Sequence, residues 1–241
     1  VEYAKILEHP STAHLRLHPL SAEDALALVC QQLGVDSLPA AVSSLIREKA
    51  EGNPFFIEEV AFALRDSGVL QVADGACWLS PDVDLKKITL PDTAQGMMAS
   101  RIDRLTPQQQ MTLKVASVIG RIFNLRLLRD VHPLEVDKPH LVEYLTALER
   151  LDFIVCAAPG PDARYFFKHA TTRDVAYNLM LFTHRRQLHR AVAEWYEREY
   201  GADLEPQYPI VASHWRHALD DAHLDLDITA RALDYMEKAG E

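Results

Sequence analysis

The chain has 241 residues, a net charge of −10, 48% apolar and 25% charged residues. This is globular composition with length for one or two cores, and it excludes disordered and collagen-like chains. The acidic balance argues against a broad nucleic-acid surface and against an anionic membrane surface, since both need clustered Lys and Arg.

The alternation in His14–Leu20 predicts a short strand. Ser21 then caps a helix with an acidic first turn, Glu23 and Asp24, and Gly34 ends it. Ala41, Val42, Leu45 and Ile46 line a second helix. It runs into Glu51-Gly52-Asn53-Pro54-Phe55-Phe56. Gly52 suits a left-handed helix end, Asn53 an N-cap and Pro54 a first helical residue, so a tight corner leads into a third helix. Residues 68–90 read as a loop with short strand pieces. A helix from Pro91-Asp92-Thr93 to about Leu105 follows, then one capped by Thr106-Pro107-Gln108-Gln109, a short one near Leu125–Val131 and one over about Pro139–Leu151. Phe153–Cys156 and Arg164–Phe167 predict a hairpin turned at Pro159-Gly160-Pro161-Asp162. Helices followed by a hairpin is the order of a winged helix.

Beyond the hairpin, Thr171 and Asp174 predict a capped helix to about Leu181. Further helices are expected over about Arg185–Tyr200, around Val211–Ala218 and over about Ile228–Ala239. Their small and aromatic residues at helical spacing predict the first turns of a helix-pair array. Cys30, Cys77 and Cys156 are odd in number and widely spaced, so they read as free thiols of a reducing cytoplasm. No apolar run approaches the ~20 residues that span a bilayer. Neither Val1-Glu2-Tyr3 nor Lys238-Ala239-Gly240-Glu241 reads as a natural terminus, and a segment of a longer protein is expected.

Four stretches in order resemble one family. They are Gly52-Asn53-Pro54-Phe55-Phe56-Ile57-Glu58-Glu59, Arg101-Ile102-Asp103-Arg104-Leu105, Ala116-Ser117-Val118-Ile119-Gly120-Arg121-Ile122-Phe123 and Phe167-Lys168-His169-Ala170 running to Asp174-Val175-Ala176-Tyr177. The pattern resembles STAND-class signalling NTPases, in the branch attached to soluble adenylyl cyclases, bacterial protein kinases and LuxR-type regulators. The resemblance implies a mainly α fold. Residues 1–19 would be the tail of an upstream P-loop domain, 20–90 a helical lid, 91–180 a winged helix with a β-hairpin wing, and 181–241 a helical linker opening a TPR-like sensor. It implies that Gly52 and Pro54 lie against the adenine of bound ATP or ADP, and that His169 reads the β-phosphate of ADP. The family's Met-His-Asp triplet here reads Lys168-His169-Ala170, so the acidic neighbour is missing.

The residues themselves leave alternatives open. Gly52-Asn53-Pro54 is equally a plain helix–helix turn, and His169 equally a packed histidine. No Gly-x-x-x-x-Gly-Lys-Ser/Thr occurs, so catalysis is not expected of the segment alone, and Mg²⁺ with nucleotide is expected only beside an upstream P-loop domain. The expected partners are that domain, downstream helical repeats, and protein partners or further copies of the chain. A protein-interaction scaffold without nucleotide and a DNA-reading winged helix are the competing functions. Arg185, Arg186, His189 and Arg190 form the best basic cluster. His214 and His217, with Asp220, Asp221 and His223 downstream, have spacing that a Zn²⁺ site could use, but no Cys or HExxH pattern reinforces it.

Overall fold

Residues 12–13, 15–50, 52–81, 83, 85, 88, 90–160, 162–219 and 225–240 are described by a computed structural model. They form two compact units, one up to Ala94 and one from Gln95. The architecture is mainly α with two small antiparallel sheets.

The first unit holds α1 (Ala22–Leu33), α2 (Ala40–Ala50), α3 (Pro54–Asp66) and a hairpin of β1 (Leu70–Ala73) and β2 (Ala76–Leu79). The Ser21 hydroxyl accepts from the Asp24 N–H at 3.1 Å, and Gly34, at φ 66°, closes α1 as expected. Helices α1 and α2 pack on α3. Every residue from Phe56 to Leu64 is buried, so α3 has no solvent stripe over that length. Glu58 and Glu59 lie inside this run. Gln32 of α1 donates to Glu58 Oε1 at 2.8 Å, one compensation for burying that carboxylate.

The short strand pieces expected in residues 68–90 pair as a hairpin, because Asp74 (φ 51°) and Gly75 (φ 77°) both take left-handed backbone, the geometry of a two-residue hairpin turn. One expectation changes here. The strand expected over 14–20 is absent from residues 15–20, and His14 lies outside the described residues. Alternation makes a strand only where a ladder partner exists. The Leu20 N–H donates instead to the Gly52 carbonyl at 2.8 Å.

The second unit carries α4 (Ala94–Asp103), α5 (Pro107–Ile119), β3 (Ile122–Asn124), α6 (Leu125–Val131), α7 (Leu141–Arg150), β4 (Ile154–Ala158), β5 (Arg164–Phe167), α8 (Ala170–Asn178), α9 (Phe182–Tyr200), α10 (Tyr208–Ala218) and α11 (Leu226–Ala239). A reciprocal capping box opens α5: Thr106 Oγ1 accepts from the Gln109 N–H and Gln109 Oε1 from the Thr106 N–H. The sheet order is β3-β5-β4, all antiparallel. Strand β3, three residues long, is too short to carry a period-2 signal and was not expected. With it, α5-β3-α6-α7-β4-β5 has winged-helix topology. Phe123 of β3 stacks on Tyr165 of β5 at 5.7 Å, tying the first strand to the hairpin.

Helix α8 starts two residues earlier than Thr171 and Asp174 suggested. His169 occupies the N-cap position and Thr171 lies inside the helix. The β-ladder sets this start, because the Lys168 N–H still donates to Phe153 at 3.1 Å and the chain turns directly after it. Helix α9 then packs on α6 and α5, and also on α10, which packs on α11. Trp215, Val211, Ala193, Ile228 and Ala232 form the core of those last three helices.

Arg101 of α4 is buried to 2% exposure. Its Nη2 donates to the Leu151 carbonyl at 2.6 Å, at the end of α7, and its guanidinium lies 4.7 Å over the Phe153 ring. Exchanging Arg101 for Ala leaves a cavity and an unsatisfied helix end. The expected loss is about 2–4 kcal/mol, read as a lower urea midpoint at unchanged slope.

Candidate functional site

The corner between α2 and α3 is built from the residues that predicted it. Asn53, in extended backbone, accepts from the Phe56 N–H at 3.3 Å, and Pro54 takes the first helical position. Gly52 has φ 74°. A Cβ there would stand 2.6 Å from the Leu20 carbonyl oxygen and 2.7 Å from Pro19 Cβ. Gly52 is therefore required by two independent constraints, its backbone conformation and the approach of Pro19-Leu20. The Pro54 ring is exposed. It offers a flat apolar face on a corner that is already ordered.

His169 stands in the second unit, between β5 and α8, half-buried. Its carbonyl accepts from the Thr172 N–H at 3.2 Å, while its side chain makes no capping bond to α8. No acidic residue lies in the first turn of α8. The helix end thus keeps its positive dipole end without a carboxylate of its own first turn. Lys168 beside it pairs with Asp152 at 3.2 Å, so the acid absent at Ala170 is present nearby but engaged by the lysine. Gly52 and Pro54 belong to the first unit and His169 to the second.

A cluster that sequence spacing did not assemble lies where α8, α9 and α10 meet the end of α5. Tyr177 Oη and His189 Nε2 are 3.0 Å apart, and His189 Nδ1 and His214 Nδ1 are 2.8 Å apart. Of the two facing Nδ1 atoms one carries the shared proton and the other accepts it, and His189 Nε2 lies within hydrogen-bond reach of the Tyr177 hydroxyl. The His217 ring stacks on His189 at 4.9 Å, and His217 Nδ1 donates to the Ser213 carbonyl at 2.7 Å. Burial is the main reason both inner histidines stay neutral. It pushes His214 down to about 4 and His189 to about 2, aided by repulsion from the neighbouring imidazoles and from Arg173, with Arg185 also acting on His189. The spacing of His214 and His217 marked one helix face, but only the packing of α9 on α10 brings His189 to it.

Among the described residues no group of three or more His, Cys, Asp or Glu could hold an ion. Asp220, Asp221 and His223 lie outside the described residues. The basic cluster also separates on folding. Arg185 donates to the Met180 and Asn178 carbonyls at the end of α8, Arg190 pairs with Glu194, and His189 is buried. Among the described residues no helix is long and apolar enough to cross a membrane.

A family model described as a domain of unknown function, DUF8739, matches residues 21–78. The chain is similar to adenylate cyclase type 10 of Rattus norvegicus, 22% identical over 209 residues that make up 71% of this chain and 13% of that protein. It is also similar to adenylate cyclase type 10 of Oryctolagus cuniculus, 21% identical over 213 residues, 73% of this chain and 13% of that one. The chain thus spans about an eighth of the length of these curated relatives. The similarity is weak and partial, and it links the chain to a cyclase.

Two measurements follow from this geometry. Gly52→Ala meets both a left-handed backbone and a backbone clash, so the first unit should lose roughly 1–3 kcal/mol. Hydrogen exchange at the Leu20 amide should accelerate with it. The histidine relay makes stability pH-dependent. In the unfolded chain both imidazoles bind protons near the ordinary value of 6.5, whereas the folded chain holds them neutral. Their contribution is therefore complete above 6.5 and is lost as pH falls, down to about 2 for His189 and about 4 for His214, so both act between 6.5 and about 4. Denaturation midpoints should drop across that window with a slope of about 1.4 kcal/mol per pH unit for each histidine, and His189→Gln should remove about half of the slope.

Proposed function

We propose that this chain is the lid and winged-helix segment of an ATP/ADP-switched signalling ATPase of the STAND class. It would close over nucleotide bound by an upstream P-loop domain and pass the state to a sensor or output domain. The observation that carries the reading is the exposed Pro54 ring on a corner ordered by the Gly52 backbone and the Asn53 cap. A rigid apolar face of this kind suits a purine, because little ordering entropy remains to be lost on binding. The first turn of α8, free of acidic residues and preceded by His169, supplies donors and dipole for an anion such as a β-phosphate. Likeness to adenylate cyclase type 10 over 71% of the chain supports a parent protein fused to a cyclase.

Each side chain has a limited part in this scheme. Pro54 positions the base, Gly52 allows the corner, and His169 biases the closed form by touching one nucleotide state more than the other. Hydrolysis would need a P-loop and an acidic metal site, with Mg²⁺ held by the upstream domain and the nucleotide. The segment alone is not the catalyst. DNA reading by α7 is disfavoured, since Glu143 lies on its solvent side and Glu149 is engaged by the Cys156 N–H at 2.7 Å.

The test is calorimetric titration of ADP into the chain extended upstream through its P-loop domain. Binding should weaken about tenfold, or about 1.4 kcal/mol, on either Pro54→Ala or His169→Ala. ADP binding unmoved by both changes would overturn the site assignment. No ADP binding by the extended chain would favour a protein-interaction scaffold instead.

A further inference from the structure

A second cavity, of about 590 Å³, lies wholly within the second unit and plays no part in the nucleotide reading. Its walls come from α5, the connections after α6 and α8, and α9. The inner wall is apolar and buried: Val131, Met180 and Leu188 are 7%, 8% and 7% exposed. Met111 and Ala191 complete it. The volume falls in the range of small-molecule sites, and two methionines give the wall an adaptable surface.

The polar groups at this cavity are of one kind. Lys114, His184 and Gln187 line it, and no acidic residue does. Lys114 is half-buried, and its ammonium has no hydrogen-bond or ion-pair partner among the described residues. That is unusual for this chain. The other described lysines, Lys49, Lys138, Lys168 and Lys238, each hold a carboxylate at 2.6–3.2 Å. In a protein of net charge −10, the ammonium beside the apolar cavity is the one among the described lysines without a carboxylate. The apolar surface also continues outward over Leu181 and Phe182, 67% and 73% exposed. A ligand longer than the cavity would have somewhere to lie.

We propose that this cavity binds an amphipathic organic anion, a carboxylate with an unbranched apolar chain, its head on Lys114 and its chain against Met180, Leu188 and Val131. A concave volume of about 590 Å³ favours a small molecule over the flat face of a protein partner. Charge complementarity selects an anion over a neutral or cationic amphiphile, because pairing Lys114 adds a charge-assisted hydrogen bond at a partly desolvated site.

The methionines provide the readout. Of the five in the chain, Met111 and Met180 line the cavity, while Met97, Met98 and Met236 do not. The protein is labelled with ¹³C at the methionine methyls and titrated with decanoate below its micelle concentration, then with decanol. Decanoate should shift Met111 and Met180 saturably, leave the other three in place, and bind at least tenfold tighter than decanol. Lys114→Gln should erase that preference without changing decanol affinity, and Ala191→Leu should weaken both ligands by filling the space. The unshifted methyls of Met97 and Met98 report that each variant is folded. Equal binding of decanoate and decanol, shifts spread over all five methyls, no saturable shift, or a preference that survives Lys114→Gln would each overturn the proposal.

Discussion

Helix α9 has to be buried on two sides at once, and the second unit is organised around that requirement. At 19 residues it runs about 28 Å. One side packs on α5 and α6 of the winged-helix part, and the other on α10 and thereby α11. Polar anchors fix its register against both. Trp195 donates to Asp130 of α6 at 2.8 Å, and Arg126 of α6 pairs with Glu199 at 2.6 Å. On the other side His189 meets His214, and Glu197 accepts from Trp215 at 3.0 Å and from Arg231 at 2.9 Å. A helix held by apolar contacts alone could slide or rotate at small cost. These directional bonds remove that freedom, so the terminal helices are carried rigidly by the winged-helix core.

Three of the buried polar sites follow one logic. Each sits where two elements meet and has a specific partner: Arg101 the end of α7, Glu58 Gln32, and the inner histidines one another and Tyr177. A partly satisfied network would cost more than an apolar one, so such contacts act as alignment constraints. The histidine relay is the strictest case. With the two Nδ1 atoms 2.8 Å apart, one must carry a proton and the other must not, which leaves no place for a second charge in the folded protein.

The corner at Gly52 shows why a motif and a site are different things. Gly52 is required by φ and by the approach of Pro19-Leu20, and Asn53 by the cap it forms. Their presence is accounted for without any ligand. Pro54 is different, because many residues can begin a helix and its ring is exposed. The functional reading therefore leans on Pro54 and on the weak likeness to cyclase-linked proteins. A similar distinction separates Lys168, which already has Asp152, from Lys114, which has no acid.

Local chemistry was legible in the sequence wherever one residue type serves one backbone task. Ser21, Gly34, Asn53, Pro54 and the Thr106–Gln109 box all stand where their side chains predict, and the helices they bound follow from apolar periodicity. Asp74-Gly75 was equally readable as the turn that pairs the short strand pieces expected around it. Strand β3, the missing strand over 15–20, the start of α8 and the histidine relay were not readable, because each depends on a partner distant in sequence. A three-residue strand exists only as the edge of β5, an alternating segment is a strand only beside a ladder, and His189 and His214 become one unit only when α9 lies on α10. Periodicity and caps are properties of the chain, whereas pairing, burial and proton placement belong to the contacts between elements.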